Sequence, residues 1–214
     1  MKRFLSFFLM LTTVATIANA QSAQYQETME QQIGEMYKNQ QSGGLAQSAN
    51  TFDRIAEAEK TQWLPYYYAA YCRVMQALDA QGSNAIDAFA DQAEKSIEKA
   101  EALSKDNAEI ACLKSLITTA RINADPMTRG RKLSPVAARY LSDAKKYDAE
   151  NPRIYLLEGQ SLFYTPEQFG GSKVKAKEKF ELSLKKFDAF KPASSLAPNW
   201  GKEYTESLLS KIGR

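Results

Sequence analysis

The sequence contains no histidine. That absence removes Ser-His-Asp and Cys-His nucleophile chemistry and nearly every kind of zinc site. Cysteine is almost as scarce, with only Cys72 and Cys112. Two cysteines cannot make a disulfide framework, so the fold must rest on an apolar core. An oxidising compartment permits a bridge between them. Their expected places in neighbouring hairpins differ by about one helical turn, however, and a bridge needs Cα atoms within about 7 Å. Two buried thiols acting as small apolar side chains are therefore expected. Proline is missing from the first 60 residues. Beyond residue 20 no run is long and apolar enough to span a bilayer. Charge of either sign is nearly balanced, with 28 Lys plus Arg against 25 Asp plus Glu. That balance gives no electrostatic argument for nucleic acid or an anionic membrane as partner. No metal-ligand set or cofactor motif stands out, so no cofactor is expected.

The chain opens with an export signal pattern. Lys2 and Arg3 form a basic start, an apolar stretch runs from Phe4 to Ile17, and Ala18-Asn19-Ala20 supplies the small-x-small site that a signal peptidase accepts. Cleavage is expected between Ala20 and Gln21, leaving residues 21–214 as one helical domain, periplasmic or secreted. Gln21 is not cysteine, so no lipid is expected at the new terminus. Mass spectrometry of the protein from its native host should find Gln21 at the N-terminus. An intact Met1 or a lipid there would overturn the assignment.

The remaining sequence is rich in Ala, Glu, Lys, Gln and Leu, and its apolar residues recur every three or four positions. This predicts an all-α chain. Turn residues divide it into antiparallel hairpins at about 23–60, 64–103, 108–147 and 152–187, with a last capping helix at about 200–212. Asn107, Asn151 and Asn199 read as helix N-caps, and Ser134-Pro135 as another helix start. Arg129-Gly130-Arg131-Lys132, the densest basic run, falls in the expected long loop of the third hairpin. Gly170-Gly171-Ser172-Lys173 lacks P-loop spacing and reads as a turn in which Ser172 caps the next helix.

The second helix of each hairpin carries one ladder of apolar and small residues. It reads Ala93, Ile97, Ala100, then Ala137, Leu141, Ala144, then Ala176, Phe180, Ser183, and more loosely Ser48, Phe52, Ile55. A spacing of four then three keeps each set on one helix face. The first helices answer with Tyr68, Cys72, Met75 and with Tyr155, Gly159, Leu162, and more weakly with Ala111, Ser115, Thr118. This pattern resembles the tetratricopeptide repeat and covers about 23–190. The starts at Pro65, Ala108 and Pro152 are 43 and 44 residues apart, longer than the ordinary repeat of that family, and the surplus lies between the paired helices. The resemblance implies an α-solenoid of about 3.5–4 repeats. The segments Thr165–Lys173 and Pro198–Gly201 are similar to small exported repeat proteins of Bacteroidetes-type bacteria, some of which accompany solute uptake systems.

In such a solenoid the first helices line a concave face. Tyr66, Arg73, Arg153 and Gln160 are spaced to contribute to it, and they predict a protein or peptide partner of unknown identity. The leading reading is a non-catalytic exported binding or scaffolding protein. One alternative is an accessory subunit of a solute uptake system. Another is a glycan-cleaving enzyme, for which Glu109 and Glu158 are the only carboxylates to name.

Overall fold

A computed structural model describes residues 23–40 and 43–212; the export segment and its cleavage site lie outside them. Nine α-helices run through the described residues, with no strand among them. They are α1 (23–38), α2 (Leu45–Glu59), α3 (Trp63–Asp79), α4 (Ser83–Leu103), α5 (Ala108–Ala124), α6 (Pro126–Tyr147), α7 (Pro152–Tyr164), α8 (Lys173–Ala189) and α9 (Lys202–Ile212). None is long and apolar enough to cross a membrane.

The ladders explain the packing. Ala93, Ile97 and Ala100 on α4 are buried, as are Ala137, Leu141 and Ala144 on α6 and Ala176, Phe180 and Ser183 on α8. Each set faces the first helix of its own hairpin, so α3 packs on α4, α5 on α6 and α7 on α8. The first helices also pack on one another, α3 on α5 and α5 on α7, which turns separate hairpins into one stack. Small residues set the distance of approach. A methyl group on Gly159 of α7 would lie 2.5 Å from the Phe180 ring of α8, so the glycine lets the bulky ladder residue seat directly against the α7 backbone.

Helix starts follow their caps. The Asn107 side chain accepts from the backbone N–H groups of Glu109 and Ile110, Asn151 from Arg153, and Ser172 from Lys175. Three expectations need correction. Ser134-Pro135 does not start a helix, because both residues lie inside α6. Asn199 does not cap the last helix, because α9 begins at Lys202. The basic run 129–132 is not in a loop, because Asp125 caps a helix that begins at Pro126 and continues through Pro135. Asp125 before a proline in the first turn is a strong start signal, and it outweighs Gly130. Arg129 then reaches back across the hairpins, its fork donating to both carboxylate oxygens of Asp87 at 2.6 and 2.8 Å. Cys72 and Cys112 are buried and unbridged.

One feature has no counterpart in the repeat pattern. Residues 190–201 leave α8 without helical structure and return along the stack of first helices. The Tyr68 hydroxyl donates to the carbonyl of Leu196 at 2.9 Å, and Trp200 Nε1 donates to the Tyr67 hydroxyl at 2.8 Å. The Trp200 ring also lies 5.5 Å from that of Tyr71. The strap covers α3, which is buried on nearly every side; α5 is buried likewise, between α3, α4, α6 and α7, whereas α6 is buried on one stripe. The strap ends at Gly201, whose φ of +111° belongs to glycine, and where a side chain would press on Leu156 and Phe187.

Candidate functional site

The strap changes the meaning of the concave face. Arg153, near the start of α7, is fully buried. Its Nη1 donates to Glu109 Oε1 at 2.9 Å, and its Nη2 donates to the carbonyl of Pro198 in the strap. Its guanidinium lies 5.2 Å from the Trp200 ring and 5.1 Å from that of Phe190. Glu109 also accepts from Asn151 Nδ2 at 2.6 Å and from the Tyr67 hydroxyl at 3.3 Å. Burial pushes the Glu109 carboxyl above its ordinary range, against the opposing pull of Arg153. Burial likewise drives the Tyr67 phenol well up. The cluster is thus a polar knot that ties α3, α5 and α7 to the strap, with its charges opposed inside the chain.

The four residues assigned to a groove do not converge. Arg153 sits in this knot. Tyr66 is buried, with its hydroxyl donating to the carbonyl of Ala56 at 3.2 Å. Arg73 forks onto Asp53 and also donates to Ser96 Oγ at 2.7 Å. These two therefore join α3 to α2 and α4. Gln160 alone lies by a partly open surface, its amide donating to the Tyr204 hydroxyl at 3.3 Å. The carboxylates weighed for catalysis are also engaged. Glu109 is held by Arg153, and Glu158 bridges Lys145 and Lys179 at 2.5 and 2.7 Å. Two open clefts of about 340 and 400 Å³ lie between α1 and α2, and neither is lined by Glu109 or Glu158.

The surface beside Gln160 is of another kind. Tyr164 at the end of α7 is 58% exposed, Phe169 in the following turn 63%, Val174 at the start of α8 71%, and Tyr204 on α9 42%. These are four of the eight exposed large apolar side chains among the described residues, so the exposure is concentrated at one end of the stack. The Tyr164 and Tyr204 hydroxyls are 3.3 Å apart. Behind them Phe163 meets Tyr164 edge-on, with ring centroids 4.9 Å apart, and packs against the core. Burial, followed by the contact with Tyr164, raises the Tyr204 phenol, so it remains protonated at neutral pH.

Two cations flank this surface. Lys173 and Lys175, either side of Val174, are exposed and make no ion pair among the described residues. Of the other lysines of α8, Lys177, Lys179 and Lys186 each face a glutamate, whereas Lys185, like Lys173 and Lys175, makes no ion pair among the described residues. The sequence did carry a signal for this place, because Phe169 is a large apolar residue in a turn bounded by Pro166 and Gly170-Gly171. Repeat spacing did not point to it, because the turn lies outside the ladder.

No protein-family model matches the chain, so the tetratricopeptide resemblance rests on the ladders and their packing. No curated protein matches it either. Among solved structures it is similar to the HusA haemophore from Porphyromonas gingivalis, with 35% sequence identity, a TM-score of 0.79, and coverage of 88% of this chain and 92% of that one. Identity at that level over almost the whole of both chains reaches past a shared helical architecture: this chain belongs to the family of the HusA haemophore.

Proposed function

We propose that this chain is an exported, non-catalytic carrier that binds haem or a related porphyrin and serves a solute uptake system. The near full-length similarity to a haemophore carries the reading. Two features of the chain itself support it. The carboxylates that would serve an enzyme are opposed by cations within the fold. The first helices, which would hold a peptide in an open solenoid, hold the chain's own strap instead.

The residue inventory restricts how a haem would be held. Proteins grip haem iron through His, Cys thiolate, Met or Tyr. Histidine is absent, both cysteines are buried with their thiols pushed up by burial, and the Tyr204 phenol is raised. Only Met and Tyr are thus left as iron ligands, and in this reading aromatic contact with the faces of the macrocycle and burial of its edges supply most of the affinity.

Titrating the mature protein with haemin, and separately with metal-free protoporphyrin IX, tests this. A saturable change in the Soret band is expected for both. No saturable change with either would refute the reading. Binding of haemin alone would refute recognition through the macrocycle.

A further inference from the structure

We infer that the porphyrin lies on the exposed aromatic surface formed by Tyr164, Phe169, Val174 and Tyr204, with Lys173 and Lys175 receiving its carboxylates. This rests on the carrier reading above and names the site that the reading leaves open.

Four observations converge on this place. Half of the large exposed apolar side chains among the described residues gather there, and exposed apolar concentrations mark binding sites in soluble chains. The side chains are mostly aromatic, which suits a flat conjugated ligand through offset stacking and edge contact. Two cations without acidic partners stand beside them, and the carboxylate arms of a porphyrin are the matching anions. The start of α8 adds its N-terminal partial positive charge on the same side. Glu167 is the acid of the adjoining turn, and it leaves a local excess of positive charge with Lys173 and Lys175.

The surface is also prepared for contact. Tyr204 is fixed by Gln160 and Tyr164, and Phe163 braces Tyr164 from the core side. Ring faces held in place in the free protein lose little freedom on binding. The rest of the molecule offers less. The concave face is filled by the strap, the cleft bounded by Gln32, Glu35, Gln47 and Thr51 is polar, which does not suit an apolar macrocycle, and the cleft lined by Tyr25, Ile55 and Glu59 has no cation in its lining to receive carboxylates.

The test compares protoporphyrin IX and haemin binding by the wild-type chain, Tyr164→Ala/Tyr204→Ala, Phe169→Glu, Lys173→Ala/Lys175→Ala, and a control, Met127→Ala, which removes an exposed apolar side chain from the start of α6. The tyrosine pair and Phe169→Glu should each weaken binding by about tenfold or more. The lysine pair should weaken it by a few-fold, roughly, with the difference shrinking as salt is raised. Met127→Ala should bind as the wild type does. Circular dichroism and a thermal melt on each variant separate loss of binding from loss of fold. Wild-type binding that the tyrosine pair and Phe169→Glu both leave unchanged overturns the site while the carrier reading stands. Failure of the wild type to bind either porphyrin overturns the carrier reading and the site with it.

Discussion

Replacing Glu109 with alanine is expected to cost about 3–5 kcal/mol of stability, on the scale of breaking a buried ion pair from one side. The arrangement of donors explains the size. Glu109 is the shared acceptor for Arg153, Asn151 and Tyr67. Without it a fully buried guanidinium has no counter-charge, and two further donors lose their partner. In a chain of this length such a loss should lower the melting midpoint by on the order of 10 °C. The strap should report the damage first, because Arg153 also holds the Pro198 carbonyl and stacks on Trp200. Trp200 is one of only two tryptophans, so its fluorescence and near-ultraviolet dichroism are suitable probes. Glu109→Gln keeps an acceptor for Asn151 and Arg153 and should lose less. The double variant Glu109→Ala/Arg153→Met should cost less than the two single changes added together, because the charge that was stranded is then absent. A melting midpoint unchanged by Glu109→Ala would mean that the knot does not anchor the strap.

The knot also shows where sequence reading succeeded and where it stopped. The ladders were legible because helix geometry repeats: Ala93 with Ile97, or Ala176 with Phe180, must share a face at that spacing, and all four are buried. Asn107 and Asn151 were legible as caps because capping is local chemistry. Asn199 was misread for the same reason, since nothing local distinguishes a cap from a residue in a strap. The strap itself was illegible. Its grip comes from Tyr68 meeting Leu196 and Trp200 meeting Tyr67 across well over a hundred residues, and no periodicity announces such pairs.

The candidate site divides in the same way. Gln160, expected on a partner-facing surface, donates to the Tyr204 hydroxyl within the chain. Arg153 and Tyr66 were read as groove residues from their offsets on the first helices. An offset gives direction, not what lies beyond it: Arg153 points at the strap and Tyr66 at the carbonyl of Ala56. The exposed apolar end of α7 was invisible to the ladder because Phe169 and Val174 lie at the hairpin turn, where the repeat carries no pattern. Arg153, Tyr67 and Tyr68 in the interior of the stack are thus committed to holding the chain together.

Phe180→Ala should cost about 3–5 kcal/mol, the range for emptying a fully buried aromatic position. A more searching result comes from pairing it with Gly159→Ala. In the otherwise native chain the new methyl group would meet two carbons of the Phe180 ring at 2.5 and 2.6 Å. The ring or the α7 backbone must then move, at a cost of roughly 1–3 kcal/mol. Once Phe180 is alanine, the ring is gone and only Lys179 Cβ, at 3.2 Å, must give by a few tenths of an ångström. The methyl group enters part of the vacated space, and alanine in a helix interior is favoured over glycine by about 1 kcal/mol. The same substitution should therefore change sign, destabilising the native chain and stabilising the Phe180→Ala chain. Urea unfolding of the four proteins measures both effects in one cycle. Additive effects would show that the contact between α7 and α8 yields easily at this point. The predicted reversal would show that a glycine four residues after Tyr155 is required because the Phe180 ring occupies the place of its missing side chain.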